Sequence, residues 1–193
     1  MNKSALLVID YQHDLVHPDG IIASKIGNDR LVRAQALAPE IQKMIDRFAE
    51  MGQIVVSVQA DYNIEHYIGH FKQKRSTKNY ANTALVGTKG HDLYEVQLPN
   101  KALYVVKHYF DGFYETDLQS QLQENGIEKV YVCGVNTDAC VIHTAISAAW
   151  RGYHTFVIED LTETISSNKE QAIEYLAKVV DVERIKSSEV LLN

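Results

Sequence analysis

A cysteine, Cys140, lies at a predicted strand-to-helix turn, where a thiol could act as a nucleophile. The apolar segment KVYVCG (residues 129–134) predicts a strand, and CVIHTAISAAWRG (residues 140–152) predicts a helix that begins at the cysteine. A thiol in the first turn of a helix lies near unpaired backbone N–H groups and the positive end of the helix dipole, and both favour the thiolate. The segment therefore predicts a nucleophile beside an anion site; a small apolar residue that packs a buried helix is the alternative reading.

An acid and an amine occupy comparable positions in two other segments. Asp10 follows the apolar residues LLVI, and Lys107 follows LYVV, so each lies at the carboxyl end of a predicted strand. In a parallel sheet these ends converge on the ligand crevice. A carboxylate and an ammonium that lie close together and near a thiol offset much of the cost of burying either charge alone. Their joint placement predicts catalysis, although Asp10 alone could cap a helix and Lys107 alone could be solvated.

Alternating strands and helices must position these groups. Short apolar segments rich in Val, Ile and Tyr predict strands over residues 5–10, 53–60, 102–107, 129–134 and 155–160. Helical patterns lie between them, such as residues 39–51, with Pro39 in the first turn and Gly52 beyond the end. The alternation predicts a three-layer α/β/α fold with a doubly wound parallel sheet of about six strands. The strands that end in Asp10, Lys107 and Gly134 are expected to lie together.

The composition predicts one globular domain over residues 1–193 with a small-molecule partner. The 193 residues are 46% hydrophobic and 23% charged, which is enough for one sizeable core. A net charge of −6 is spread along the chain, so we expect neither nucleic acid nor an anionic membrane as a partner. No apolar run approaches the roughly 20 residues that span a bilayer, and the two cysteines form no disulfide framework. We therefore expect a cytoplasmic protein.

The sequence resembles the isochorismatase-like cysteine hydrolases, the group that includes nicotinamidases and N-carbamoylsarcosine amidases. The matching segments are VIDYQHDL, VGTKGHDLY, VVKHYFDGFYETDLQSQL and VCGVNTDACVIHTAISAAWRGYHTFVIED, which span most of residues 5–160. The resemblance implies the isochorismatase-like hydrolase fold, a dimer or tetramer, and a catalytic triad of Asp10, Lys107 and Cys140. It also implies a cis peptide bond between Val135 and Asn136, with the N–H groups of Asn136 and Cys140 forming an oxyanion hole.

The residues and the resemblance together predict thiol-dependent hydrolysis of a small amide or another carbon–nitrogen bond. In this hypothesis Asp10 takes the thiol proton, Lys107 holds the Asp10 carboxylate, and Cys140 attacks the carbonyl carbon to give a thioester. Asp10 then protonates the leaving amine and activates water. Two alternatives are an isochorismatase-type hydrolysis of a vinyl ether, which uses Asp10 as an acid and needs no thiol, and a catalytically idle domain that binds a small ligand.

Residues 61–101 interrupt the alternation and predict a functional insertion. Nicotinamidases usually carry Asp-x-His at the start of the comparable segment, whereas ADYNIEHYIGH has Asn63 in place of that histidine. We therefore predict no cofactor and doubt nicotinamide as the substrate. If a divalent metal binds, Asp61, His66 and His70 are its candidate ligands, the histidines having the spacing of one helix face. The alternative is a set of polar loop residues that meet solvent or a neighbouring subunit.

Aromatic and polar residues beside the three candidate groups are predicted to contact the substrate: Tyr11, Gln12, Tyr62, Phe110 and Phe113. Core packing is the alternative for Phe110 and Phe113. His143 follows Cys140 by three residues and could serve as the base of a Cys–His pair, but we predict that it packs or caps, since the resemblance supplies a different base. Cys133 is predicted to be a small buried hydrophobic residue.

Overall fold

A computed structural model describes residues 3–22, 28–78, 81–164 and 168–190. Its six strands form a parallel sheet in the order β3-β2-β1-β4-β5-β6. The strands are β1 (Lys3–Ile9), β2 (Ile54–Ala60), β3 (Leu103–Lys107), β4 (Ile127–Val135), β5 (His154–Glu163) and β6 (Glu183–Ile185). The predicted sheet of about six parallel strands is confirmed.

Helices connect the strands and cover both faces of the sheet. They are α1 (His13–Val16), α2 (Asn28–Gln35), α3 (Ala38–Glu50), α4 (Gly69–Ser76), α5 (Leu118–Glu124), α6 (Ile142–Trp150) and α7 (Lys169–Val179). Short 3-10 helices occupy Ile64–His66, Lys89–His91 and Ser187–Glu189, and a π-helical turn occupies Thr137–Val141. The helix predicted over residues 39–51 is α3, with Pro39 in its first turn. The predicted three-layer arrangement is therefore present.

Each face of the sheet has its own hydrophobic core. On one face Val8 packs with Ile41 and Phe48 of α3, and we call this the α3 face. On the other, Leu7 packs with Ala145 of α6, and we call this the α6 face. Successive strand residues point to opposite faces, so β1 contributes to both cores. Full burial of one Ile or Phe side chain contributes about 1.5 to 3 kcal/mol, which holds the helices onto the sheet.

The strand order decides which residues meet at the carboxyl edge. β1 is a neighbour of β4 but is separated from β3 by β2, so Lys107 must reach across the end of β2 to approach Asp10. The close approach of β4 to β1 requires a glycine: Gly134 has φ +110°, and a Cβ there would lie 2.1 Å from the Ile9 carbonyl oxygen. Of the three strands that were expected to lie together, β1 and β4 are adjacent, and β2 lies between β1 and β3.

No helix within the described ranges is both long and apolar enough to cross a lipid bilayer. The single domain over residues 1–193, the cytoplasmic location and the lack of a nucleic-acid partner stay predictions.

Candidate active site

Asp10, Lys107 and Cys140 lie in one buried cluster at the carboxyl edge of the sheet. Lys107 Nζ donates a hydrogen bond of 2.8 Å to Asp10 Oδ2, and both side chains are fully buried. The hydroxyl of Tyr62 lies 3.3 Å from Asp10 Oδ2 and 3.1 Å from Cys140 Sγ. The sulfur is therefore linked to the ion pair through a phenol.

Asp10 is held in an uncommon backbone conformation. Its φ is +49°, and its N–H donates to the Val58 carbonyl of β2 at 2.9 Å. A left-handed residue other than glycine costs on the order of 1 kcal/mol or more, so the surrounding contacts must hold it in place. The second carboxylate oxygen, Oδ1, is buried and accepts no hydrogen bond within the described residues. The lone pairs of Oδ1 are therefore available to accept a proton.

The Lys107 ammonium donates hydrogen bonds to three acceptors. Besides Asp10, Nζ donates to the Tyr109 carbonyl at 3.0 Å and to the Tyr62 hydroxyl oxygen at 3.3 Å. Burial alone would lower the pKa of Lys107, but Asp10 and Cys140 raise it above its usual value. Lys107 is therefore a fixed cation that compensates the buried Asp10 carboxylate.

The surroundings of Cys140 favour the protonated thiol. Burial and the Asp10 carboxylate raise its pKa to about 12, which outweighs the opposing effects of Lys107 and the Tyr62 hydroxyl. The residue lies in the π-helical turn before α6, not in the first turn of the α-helix. The expected influence of a helix N-terminus in favour of the thiolate is opposed here by desolvation and a neighbouring carboxylate.

The peptide bond between Val135 and Asn136 is cis and leads directly into this π-helical turn. The Asn136 carbonyl accepts hydrogen bonds of 3.1 Å from the N–H groups of Ala139 and Val141. The turn is thereby fixed before Cys140 enters α6. The oxyanion-hole role of the Asn136 and Cys140 N–H groups stays a prediction.

Two other residues weighed from the sequence lie outside the cluster. His143 is exposed, and its Nδ1 lies 2.6 Å from the Ala139 carbonyl oxygen, as a capping histidine does. Cys133 is fully buried on the α3 face, where burial alone raises its pKa. The capping alternative for His143 and the buried role predicted for Cys133 agree with these positions.

Three of the five residues predicted to contact the substrate have other partners in the structure. Tyr11 is fully buried on the α3 face, where its hydroxyl donates to the Ala34 carbonyl at 2.7 Å. The Gln12 side-chain amide is hydrogen-bonded to the backbone of Ala60: it accepts from the N–H at 2.8 Å and donates to the carbonyl at 3.0 Å. It ties the end of β1 to the end of β2.

Phe113 stacks on Tyr153, with ring centroids 6.1 Å apart, and lies under the Arg151 guanidinium. Both partners follow α6, whereas Cys140 precedes it. Phe113 therefore packs at the far end of that helix, and its core-packing alternative is the correct one.

Phe110 and Tyr62 remain beside the cluster, together with an arginine that the sequence did not indicate. Their rings meet edge to face with centroids 6.2 Å apart. The guanidinium of Arg75, from α4, lies 4.8 Å from the Phe110 centroid and 5.7 Å from that of Tyr62. Arg75 is only 7% exposed, and such cation–π contacts contribute about 0.5 to 2 kcal/mol each. The insertion thus contributes the ring of Tyr62 and the guanidinium of Arg75 to this part of the site.

A second cluster next to the first comprises Asp61, His66 and His108. His66 Nε2 lies 3.1 Å from Asp61 Oδ2, and His108 Nδ1 lies 4.0 Å from the same oxygen. One possible ligand atom from each residue lies within 4.8 Å of the others. His70 is not a member: it is exposed on α4, whereas His66 ends the preceding 3-10 helix, so the predicted shared helix face is wrong. His108 takes its place.

This second cluster fits a divalent cation. Two imidazoles and a carboxylate are a ligand set that zinc accepts, leaving positions for water or substrate. Asp61 Oδ1 is buried without a hydrogen-bond partner in the described part of the chain, as a carboxylate oxygen that awaits a ligand would be. The side chains present are therefore compatible with a metal at this position.

Comparison with known proteins gives a consistent result. The family model of the Isochorismatase domain matches residues 4–185. An uncharacterised isochorismatase family protein of Bacillus subtilis (strain 168), YddQ, is 32% identical over 171 residues, which cover 88% of this chain and 83% of the relative.

Two solved structures resemble the whole chain. N-carbamoylsarcosine amidase from Thermoplasma acidophilum has a TM-score of 0.78 and 27% identity, covering 97% of this chain and 98% of the other. Pyrazinamidase of Pyrococcus horikoshii in complex with zinc has a TM-score of 0.80 and 25% identity, covering 95% and 99%.

Proposed function

This chain belongs to the isochorismatase family, and from that premise we propose that it hydrolyses the carbon–nitrogen bond of a small amide through Cys140. The observation that supports this most is the buried Asp10–Lys107 ion pair, linked through the Tyr62 hydroxyl to the Cys140 sulfur. Relatives that are amidases of small molecules point to the same reaction class.

Attack by the thiol is coupled to proton transfer. Because the pKa of Cys140 is raised to about 12, the sulfur loses its proton to Asp10 as it approaches the substrate carbonyl carbon. Asp10 Oδ1, which accepts no hydrogen bond within the described residues, is the oxygen available for that proton. Lys107 keeps the carboxylate oriented through Oδ2.

Collapse of the tetrahedral intermediate gives the thioester. In this proposal the oxyanion lies at the N–H groups of Asn136 and Cys140, where each donor would stabilise the charge by about 2.7 to 4 kcal/mol. Asp10 passes its proton to the departing nitrogen as the carbon–nitrogen bond breaks. Asp10 then takes a proton from water as the hydroxide adds to the thioester, and this proton returns to the sulfur when the carboxylic acid leaves.

Asp61, His66 and His108 would hold a divalent cation beside this site. When bound, such a cation supplies a Lewis acid that can orient and polarise a donor atom of the substrate. The proton transfers assigned to Asp10 and Cys140 do not pass through it.

The substrate is a small molecule, and we keep a dimer or tetramer as the proposed assembly. Light scattering after gel filtration tests the assembly. Neither a vinyl-ether hydrolase nor a catalytically idle binding domain requires a reactive Cys140 sulfur. The following experiment separates both alternatives from an amidase.

The test is ammonia release from a panel of small amides and ureas: nicotinamide, pyrazinamide, carbamoylsarcosine, biuret and ureidoacrylate, with isochorismate followed by product chromatography. We expect turnover of at least one carbon–nitrogen substrate, loss of that turnover to background in Cys140→Ala, and retention in the matched control Cys133→Ala. Full turnover by Cys140→Ala, or turnover of isochorismate alone, would rule out the proposal.

A further inference from the structure

The Tyr62 hydroxyl contacts Asp10, Lys107 and Cys140, the three members of the buried cluster. Tyr62 follows β2 by two residues, and its backbone is fixed by hydrogen bonds of 3.0 Å with Thr83 and Asn82. Its hydroxyl lies 3.1 Å from Cys140 Sγ and 3.3 Å from Asp10 Oδ2. The ring is 5% exposed, so bulk water does not compete for the hydroxyl.

The hydrogen-bonding capacity of a phenol limits what this hydroxyl can do. It has a single hydrogen to donate and two lone pairs that accept. Lys107 Nζ has only N–H groups to offer, so its 3.3 Å contact occupies a lone pair of the Tyr62 oxygen. The hydroxyl hydrogen must therefore point to Asp10 Oδ2 or to Cys140 Sγ.

The preferred acceptor changes during the reaction. Before proton transfer Asp10 carries the negative charge and the sulfur is a neutral thiol, so the hydroxyl donates to Oδ2. Once Asp10 has taken the thiol proton, the charge is on the sulfur, and rotation about the phenol C–O bond turns the same hydrogen toward it. No bond to Tyr62 forms or breaks; the S–H bond breaks, an O–H bond forms on Asp10, and the phenol stays neutral.

We propose that Tyr62 is a fourth catalytic residue, whose hydroxyl donates a hydrogen bond to the Cys140 sulfur while that sulfur is negatively charged. This inference rests on the proposed function, because it requires the sulfur to be the nucleophile. The hydrogen bond gains strength when charge develops on the sulfur, so it favours the transition state over the resting thiol. The ring contacts with Phe110 and Arg75 hold the phenol in place but do not supply this donor.

The variant that isolates the hydroxyl is Tyr62→Phe, which keeps the ring. The matched control is Tyr67→Phe, which removes a buried hydroxyl on the same face that donates to the His108 carbonyl at 2.8 Å. Both are made in a Cys133→Ala background, so that Cys140 is the only thiol. Thermal melts followed by circular dichroism establish that each variant is folded.

The measurement is the rate of iodoacetamide alkylation at about pH 8, where the rate is proportional to the small thiolate fraction. Loss of a hydrogen bond to a charged group should slow alkylation in Tyr62→Phe by about tenfold or more, with little change in Tyr67→Phe. Any extra access created by removing the hydroxyl would raise the rate, so it cannot imitate this result. An unchanged rate in Tyr62→Phe, or equal slowing in both variants, overturns the proposal.

A ring-monofluorinated tyrosine at position 62 provides a second variant if Tyr62→Phe does not fold. It keeps the hydroxyl and makes it a stronger donor, so alkylation should be as fast as in the parent protein or faster. Slower alkylation with this residue would contradict the assignment. Alkylation requires no substrate, so its outcome is separate from the ammonia assay that tests whether Cys140 is the nucleophile at all.

Discussion

The two faces of the sheet each bury a tyrosine and a cysteine, and the two pairs have different surroundings. On the α3 face Tyr11 donates to a backbone carbonyl, and Cys133 lies within hydrocarbon. On the α6 face the Tyr62 hydroxyl contacts the Cys140 sulfur. Burial alone raises the pKa of Cys133, whereas charged neighbours contribute to the pKa of Cys140 in both directions.

What distinguishes the two pairs is the ion pair, not burial. Asp10 and Lys107 lie at strand ends where the sheet gives way to turns, and both act on the pKa of Cys140, whereas burial alone acts on that of Cys133. A buried carboxylate and ammonium are costly unless each has its partner and its hydrogen bonds. The protein buries this ion pair on the α6 face, beside Cys140, where a reactive sulfur could use the two charges.

The comparison is tested most strongly at two adjacent residues that face opposite cores, Asp10 and Tyr11. We expect Asp10→Asn to lower kcat/KM by about 10²- to 10⁴-fold, because it removes the base that takes the thiol proton. Tyr11→Phe should leave kcat/KM unchanged and lower the free energy of unfolding by about 0.5 to 1.5 kcal/mol, through loss of one buried hydrogen bond. Steady-state kinetics and urea unfolding measure both effects. A loss of kcat/KM in Tyr11→Phe as large as that in Asp10→Asn would contradict the contrast between the two faces.

Removing the cation should cost stability. Lys107→Met leaves the Asp10 carboxylate buried without its partner, and we expect the free energy of unfolding to fall by about 3 to 5 kcal/mol. The double variant Asp10→Asn/Lys107→Met should recover part of this loss, since it buries no uncompensated charge. Urea unfolding at neutral pH measures the stability of both variants. If Lys107→Met were as stable as the parent protein, the ion pair would not be buried as described.

The pH dependence of alkylation sharpens the comparison of the two cysteines. Because the pKa of Cys140 is raised to about 12, its alkylation rate should increase about tenfold per pH unit from neutral to about pH 10 without a plateau. Cys133, measured in Cys140→Ala, should react more slowly at each pH because its pKa is raised further by burial. A plateau near neutral pH for Cys140 would show a standing thiolate and contradict this account.

Metal binding should change stability less than the loss of the Lys107 cation does. At a free zinc concentration of about 100 times Kd, binding to the folded state should add about 2.7 kcal/mol to the free energy of unfolding. This gain should persist in His70→Ala, which lies outside the cluster, and should be lost in Asp61→Asn and His108→Ala. Calorimetric titration and thermal melts measure it, and equal binding by all variants would place zinc elsewhere.

The sequence predicted the sheet and the meeting of Asp10, Lys107 and Cys140, because residues at the carboxyl ends of parallel strands converge whatever the strand order. It did not predict how Tyr62 contacts all three. That contact depends on β2 lying between β1 and β3, and no local pattern reveals a strand order. The available signal was that Tyr62 also follows a strand end.

The errors have the same origin. Tyr11 follows Asp10 directly, and nearness in sequence suggested a shared site, but its side chain lies on the opposite face of the sheet. His108 was missed because its nearness to Asp61 depends on the register of β2 and β3, in which Ala60 pairs with Lys107. The helix-terminus argument for the thiolate omitted the desolvation that only the folded chain imposes, which raises the pKa of Cys140.

The most direct test of the central claim is acid quenching of a single turnover, with enzyme in excess over an amide identified from the panel, followed by peptide mass spectrometry. We expect a transient mass increase equal to the acyl group on the peptide that contains Cys140, and none on the peptide that contains Cys133. Product formation with Cys140 unmodified throughout the time course, or an acyl group on any other residue, would contradict it.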